Sequence, residues 1–209
     1  MSVPRLITIM TFLLLAGWVS AQSASENDGY EVVRQDDKIT MYERWTPYPG
    51  TSTNSRLIKC IFYARSDPAN MFAHIYEEAK IKTWQENILE YVITPKNDTT
   101  WVAYSHYRIP WPLDNQDYLL TYVLHEKNDK KIVVSFTHLE DQKLGPIHDG
   151  VDRRPTIGKW EFEKVADGKT KVIYTITSLP LNTPRFITDR IVHNNLMATI
   201  NKLIVVAEK

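Results

Sequence analysis

Between residues 88 and 178 the chain offers six stretches of strand-like alternation, 88–94, 101–107, 118–126, 131–139, 158–165 and 170–178, most of them joined by short turns. Strands so closely spaced must run antiparallel, because a parallel return needs a crossover of a dozen residues or more. The turns are "PKND", "KNDK" and "ADGK", and Asp167-Gly168 is a strong hairpin signal. A curved antiparallel meander is thus the expected frame of the fold.

What flanks the meander narrows the choice. Upstream, 39–45 and 57–64 alternate as strands, separated by the turn-rich "TPYPGTSTNS". At Ser66-Asp67-Pro68 the period changes, since Asp67 can cap a helix start and Pro68 suits its first position. A helix is expected to about Ala79, with Phe72, Ile75, Tyr76 and Ala79 on one stripe and Trp84 just beyond it. Downstream, 184–206 reads as one long helix whose stripe holds Val192, Leu196, Ile200 and Leu203, widened by Phe186, Met197 and Ile204. Its opposite side carries Asp189, Asn194, Asn195 and Lys202. Such a helix should lie across the concave side of the sheet, giving an α+β fold.

Residues 1–21 hold Arg5, an apolar run and the small-x-small Val19-Ser20-Ala21 that a signal peptidase cuts. The apolar run is short for a bilayer span. A signal peptide cleaved at about Ala21/Gln22 is expected, with a secreted or periplasmic product. Residues 22–29 would be a flexible arm and 30–209 one domain. Arg5 is the only charge in the first 21 residues, so the remainder has one more acid than base, and no basic surplus points to nucleic acid. The single Cys60 cannot form an internal disulfide and alternates with Ile58 and Phe62 as a small core residue.

Signatures of chemistry are sparse. The six histidines show no HxxxH or HExxH spacing, and no second cysteine exists for a zinc site, so neither metal nor cofactor is expected. There is no Gly-rich phosphate loop and no G-x-S-x-G elbow. Asn97-Asp98-Thr99 fits a glycosylation sequon. In "RIPWPLDNQD" each proline of Pro110-Trp111-Pro112 removes a ladder donor and fixes its own φ, so the unit must bend the chain at a sheet edge.

The order of elements resembles the helix-grip fold of START lipid-transfer domains and their Bet v 1-like (SRPBCC) relatives, from about Tyr30 to the C-terminus. The residues that carry the resemblance are "DPANMF" at the helix start, Trp84, "IPWPLDNQDYLL", "GVDRRPTIGKWEF" and "LPLNTPRFI". Where the family has Arg-Asp this chain has Gln116-Asp117, and Tyr122 stands where some sterol-binding members carry a second base. The resemblance implies a cavity between sheet and last helix that binds a hydrophobic small molecule or lipid, in a monomer able to touch a membrane transiently.

Taking alternate residues, the inward set runs Tyr118, Leu120, Tyr122, Leu124, then Ile132, Val134, Phe136, His138, then Trp160, Phe162, then Val172, Tyr174, Ile176. The candidate ligand-binding residues are Trp84, Tyr104, Tyr118, Leu120, Tyr122, Val134, Phe136, His138, Arg153, Trp160, Tyr174, Val192, Leu196 and Ile200. Buried tyrosine hydroxyls need partners, which a ligand or cavity water can supply. Arg153 and Arg154, in a loop-like "DGVDRRPTIG", could face a lipid head group at the cavity mouth. Two other readings stand beside lipid binding: an enzyme like the polyketide cyclases and dehydrases, with His138, Tyr122 or Asp117 moving protons, and an envelope protein with a filled core that binds another protein.

Overall fold

In a computed structural model, residues 29–111, 113–181 and 183–209 are described. The expected signal peptide and most of the arm after it lie outside these residues. The strands are β1 (Glu31–Gln35), β2 (Ile39–Pro47), β3 (Asn54–Ala64), β4 (Ile88–Asn97), β5 (Thr100–Tyr107), β6 (Asn115–Lys127), β7 (Lys131–His138), β8 (Val151–Arg153), β9 (Thr156–Lys164) and β10 (Thr170–Ser178). They form one sheet ordered β1-β2-β3-β10-β9-β7-β6-β5-β4, antiparallel throughout this path. The last strand thus joins the N-terminal strands to the meander.

Two strands were not legible in the alternation. β1 pairs with β2 at the sheet's edge with nearly every residue exposed, so it has no buried face to impose a period. β8, in the segment read as a loop, pairs in parallel with the start of β6, and three residues are too few to show a pattern. Where expected, Asp167 and Gly168 both take positive φ, 61° and 66°, the geometry of a type I′ hairpin turn.

The first helix is two. α1 (Pro68–Tyr76) starts as expected, with the Asp67 carboxylate accepting from the Asn70 amide at 2.7 Å. It stops at Glu77, whose backbone is extended, and resumes as α2 (Glu78–Trp84). The break removes the amide that would have bonded the His74 carbonyl, and the Trp84 indole N–H donates to that carbonyl instead, at 2.8 Å.

α3 (Arg185–Ala207) lies against the sheet and against α1 and α2. Its C-terminal half, with Leu203, Ile204 and Ala207, closes over Phe62, Ile132, Val134, Phe162 and Val172 in a filled core. Phe186 is not part of the inner stripe: it is 79% exposed. Ten residues before Leu196, it is rotated to the stripe's margin. Asp189 and Asn195, expected on the outer side, are turned inward. Asp189 bonds Arg56 and Asn195 lines a cavity.

Candidate functional site

The sheet and the N-terminal half of α3 do not close on each other. They leave a cavity of about 370 Å³. Its sheet wall is built by Tyr118, Leu120 and Tyr122 of β6, Phe136 of β7, Trp160 of β9 and Tyr174 and Ile176 of β10. Val192, Leu196 and Ile200 of α3 cover it, and Ile75, Ile81 and Trp84 of α1 and α2 form one end. These walls follow from strand alternation on the concave face and from the helical stripe.

The aromatic rings lock one another in place. Trp160 stacks on Tyr174 with centroids 3.9 Å apart, and Tyr122 lies between Trp101 and Phe136 at 5.1 and 5.2 Å. The wall is therefore stiff as well as apolar. Its polar groups are mainly hydroxyls. Tyr118 donates to Gln116 Oε1 at 2.9 Å, and burial pushes its hydroxyl up to about 12. Burial also raises Tyr122 and Tyr174, so these groups keep their protons and serve as neutral hydrogen-bonding sites.

Ten of the fourteen candidate residues line this space: Trp84, Tyr118, Leu120, Tyr122, Phe136, Trp160, Tyr174, Val192, Leu196 and Ile200. The other four do not. Val134 is fully buried in the core cluster and does not line the cavity. His138 ends β7 with Nδ1 3.2 Å from the Tyr48 hydroxyl, which the β2–β3 loop brings up. Tyr104 points to the convex side, because on β5 it is Ala103, Ser105 and Tyr107 that turn inward; there it packs with Val102 and Leu119 beneath Leu139 and Leu144. Arg153 is also on the convex side, its guanidinium paired with both oxygens of Asp117 at 2.9 and 2.6 Å.

Of the two arginines expected at the cavity mouth, Arg154 lines the cavity and Arg153 does not. Strand β8 turns alternate residues to opposite sides, so Arg154 faces the cavity while Arg153 faces away. Arg154 is nearly buried, and its Nη1 is 2.9 Å from Asp152 Oδ2. Asp117 is still partnered, by an arginine from β8 in place of one adjacent in sequence. Trp111 lies at the surface, 91% exposed in the turn before β6.

At the cavity's other polar end a buried charge cluster ties α3 to the sheet. Glu43 Oε2 is 2.8 Å from His193 Nε2 and 3.2 Å from Arg56 Nε, and Arg56 also bonds Asp189. Arg185 lies over the Trp45 ring at 4.0 Å, close to Glu43. Burial alone would raise the Glu43 carboxyl. The His193 hydrogen bond, the Arg56 charge and the Trp45 N–H together outweigh it and hold it below its ordinary value. Alternation could have placed Glu43 beside Met41 on the inner face, but its partners lie up to 150 positions away.

No family model matches the sequence, and no curated protein sequence matches it significantly. Solved structures do resemble the fold. Human StAR-related lipid transfer protein 5 superposes with a TM-score of 0.75 at 16% identity, over 90% of each chain. A STAR-related lipid transfer protein from Xanthomonas axonopodis gives 0.72 at 18% identity, over 87% of this chain and 100% of the other. An aromatase/cyclase from Streptomyces sp. R1128 gives 0.56 at 12% identity, over 74% of this chain and 94% of the other. The fold of this chain is therefore the START-type helix grip.

Proposed function

We propose that this chain is an exported binding module that encloses one hydrophobic molecule, a lipid, between its curved sheet and α3, and carries it as a monomer in transient contact with membranes. The observation that carries the reading is the cavity of about 370 Å³ walled by aromatic and branched side chains. That volume is within the ~300–1,000 Å³ of ordinary small-molecule sites. Each methylene buried there contributes about 0.8 kcal/mol, so a chain of ~10 carbons supplies most of a micromolar affinity before ordering costs. The lipid-transfer names of two structural neighbours point the same way.

A cyclase-like enzyme finds less support. Of His138, Tyr122 and Asp117, only Tyr122 lines the cavity, and burial keeps its hydroxyl protonated. A cavity-less interaction protein is disfavoured by the cavity itself.

Native mass spectrometry of protein from its own export compartment tests the proposal, with extraction and identification of any co-purified molecule. A bound lipid is expected, and Leu196→Trp should displace it without loss of fold. An apo mass after gentle handling, with no shift on adding fatty acids, phospholipids or sterols, would sink the carrier reading. Signal-peptide cleavage is read from the N-terminal residue of the same material.

A further inference from the structure

The convex face of the sheet, away from the cavity, carries a transverse row of charge. In register, Glu90 of β4 faces His106 of β5, His106 faces Asp117 of β6, and Asp117 faces Arg153 of β8. Asp117 is committed, with both oxygens on Arg153 and one also accepting from the Tyr104 hydroxyl at 3.4 Å. Glu90 is exposed, and no ion pair engages it among the described residues. From the 139–150 loop His148 folds onto this row. Its ring lies nearly parallel to that of His106, at 14° with centroids 5.4 Å apart.

Glu90, His106 and His148 can each present one donor atom such that all three lie within 4.8 Å of one another. The Nε2 atoms of both histidines are buried and have no hydrogen-bond partner among the described residues. Buried imidazole nitrogens left unpaired are costly, and two histidines that carry them, grouped with an exposed carboxylate, make an arrangement that a cation would complete. The geometry points to a binding site for one divalent transition-metal ion, zinc in particular, held by His106, His148 and Glu90 on the convex face.

The donor chemistry selects the ion. Two imidazoles and a carboxylate suit zinc, whereas calcium and magnesium take oxygen ligands. Three protein ligands leave the fourth tetrahedral position to water. Zinc–nitrogen bonds of ~2.0–2.1 Å require the donors to draw closer. His106 is fixed on a strand, while the exposed Glu90 side chain and the loop-borne His148 can make the adjustment. The ion would pin the 139–150 loop across β4 and β5, beside the small cluster of Tyr104, Val102 and Leu119 that the loop already covers. Its position is independent of the lipid-binding proposal.

The test uses the full chain without an affinity tag, stripped with a chelator and desalted, then titrated with zinc in competition with a chromophoric chelator. One zinc per chain is expected, bound tighter than about 1 µM. His106→Ala and His148→Ala should each weaken it by more than the ~10–100-fold typical of losing an outer partner, while His125→Ala leaves it unchanged. Substoichiometric binding, or full affinity in both variants, would overturn the site. Should a variant fail to fold, hydrogen exchange on the unmutated chain decides. Zinc must slow exchange in the 139–150 loop, and no protection there refutes the assignment.

Discussion

Glu43 on β2 and His193 on α3 meet at 2.8 Å across 150 positions of the chain, both almost fully buried. This contact, with Arg56 and Asp189 beside it, is a polar tether between the sheet and the helix that covers the cavity. Removing Glu43 takes from His193 and Arg56 a buried acceptor they share, and breaking a buried pair by removing one partner typically costs about 3–5 kcal/mol. Glu43→Ala should therefore lower thermal stability and raise hydrogen exchange in the first half of α3. Exchange unchanged there would show that the tether does not hold the helix.

The same carboxylate gives a pH dependence. Its folded-state pKa lies below the ordinary 4.5, so its contribution to stability is present above that value and is lost as pH falls through the folded pKa. Thermal midpoints measured downward from pH 5 should fall, and Glu43→Gln should flatten part of that decline. An identical acid profile in both proteins would assign the loss to other carboxylates.

Gly158 on β9 faces Phe136 of β7 and Ile176 of β10 in register. A Cβ at this position would overlap the Phe136 ring and the Thr175 carbonyl. Gly158→Ala is expected to cost about 3 kcal/mol, the upper end for overpacking, or roughly 6–12 °C in melting temperature for a domain of this size. Phe136→Leu in the same chain should recover part of it, because the ring is the movable half of the clash. The comparison of the three melting curves checks this.

The parts of the fold that obey a local period could be read directly. β10 occupies 170–178 as its alternation requires, and Asp67 and Asp167-Gly168 act as their local chemistry demands. The cavity walls on β6, β9, β10 and α3 follow from the same periods. What failed depends on distant partners. Tyr104 reads as one more buried tyrosine until the register of β5 turns Ala103 and Ser105 inward. Arg153 turns away from the cavity and Arg154 toward it, because β8 forms only through parallel pairing with β6. The break at Glu77 interrupts a helical pattern that continues on both sides of it. Glu90, His106 and His148 are separated by 16 and 42 positions, so no spacing motif could unite them.

Cys60 is completely buried between Ile58 and Phe62 on β3, and burial pushes its thiol up to about 12. The thiolate is the reactive form, so both access and ionisation protect it. A thiol reagent should label the native chain only on global unfolding, at a rate that follows denaturant stability. Rapid labelling under native conditions would mean that β3 and β10 part locally, which their continuous pairing argues against.

Tyr174 distinguishes a cavity that merely repels water from one that also orients its guest. Its ring is fixed between Trp160 and Phe136, and burial keeps its hydroxyl protonated. A neutral hydroxyl on this largely apolar wall is a natural partner for a polar group on a bound lipid. Tyr174→Phe keeps the ring and its stacking, so folding should be unaffected. A hydrogen bond to ligand is worth about 0.5–1.5 kcal/mol, or roughly 2–12-fold in affinity. Titration with a fatty alcohol and with an alkane of equal length should show that loss for the alcohol alone. An equal loss for both would mean that the phenol serves packing and not recognition.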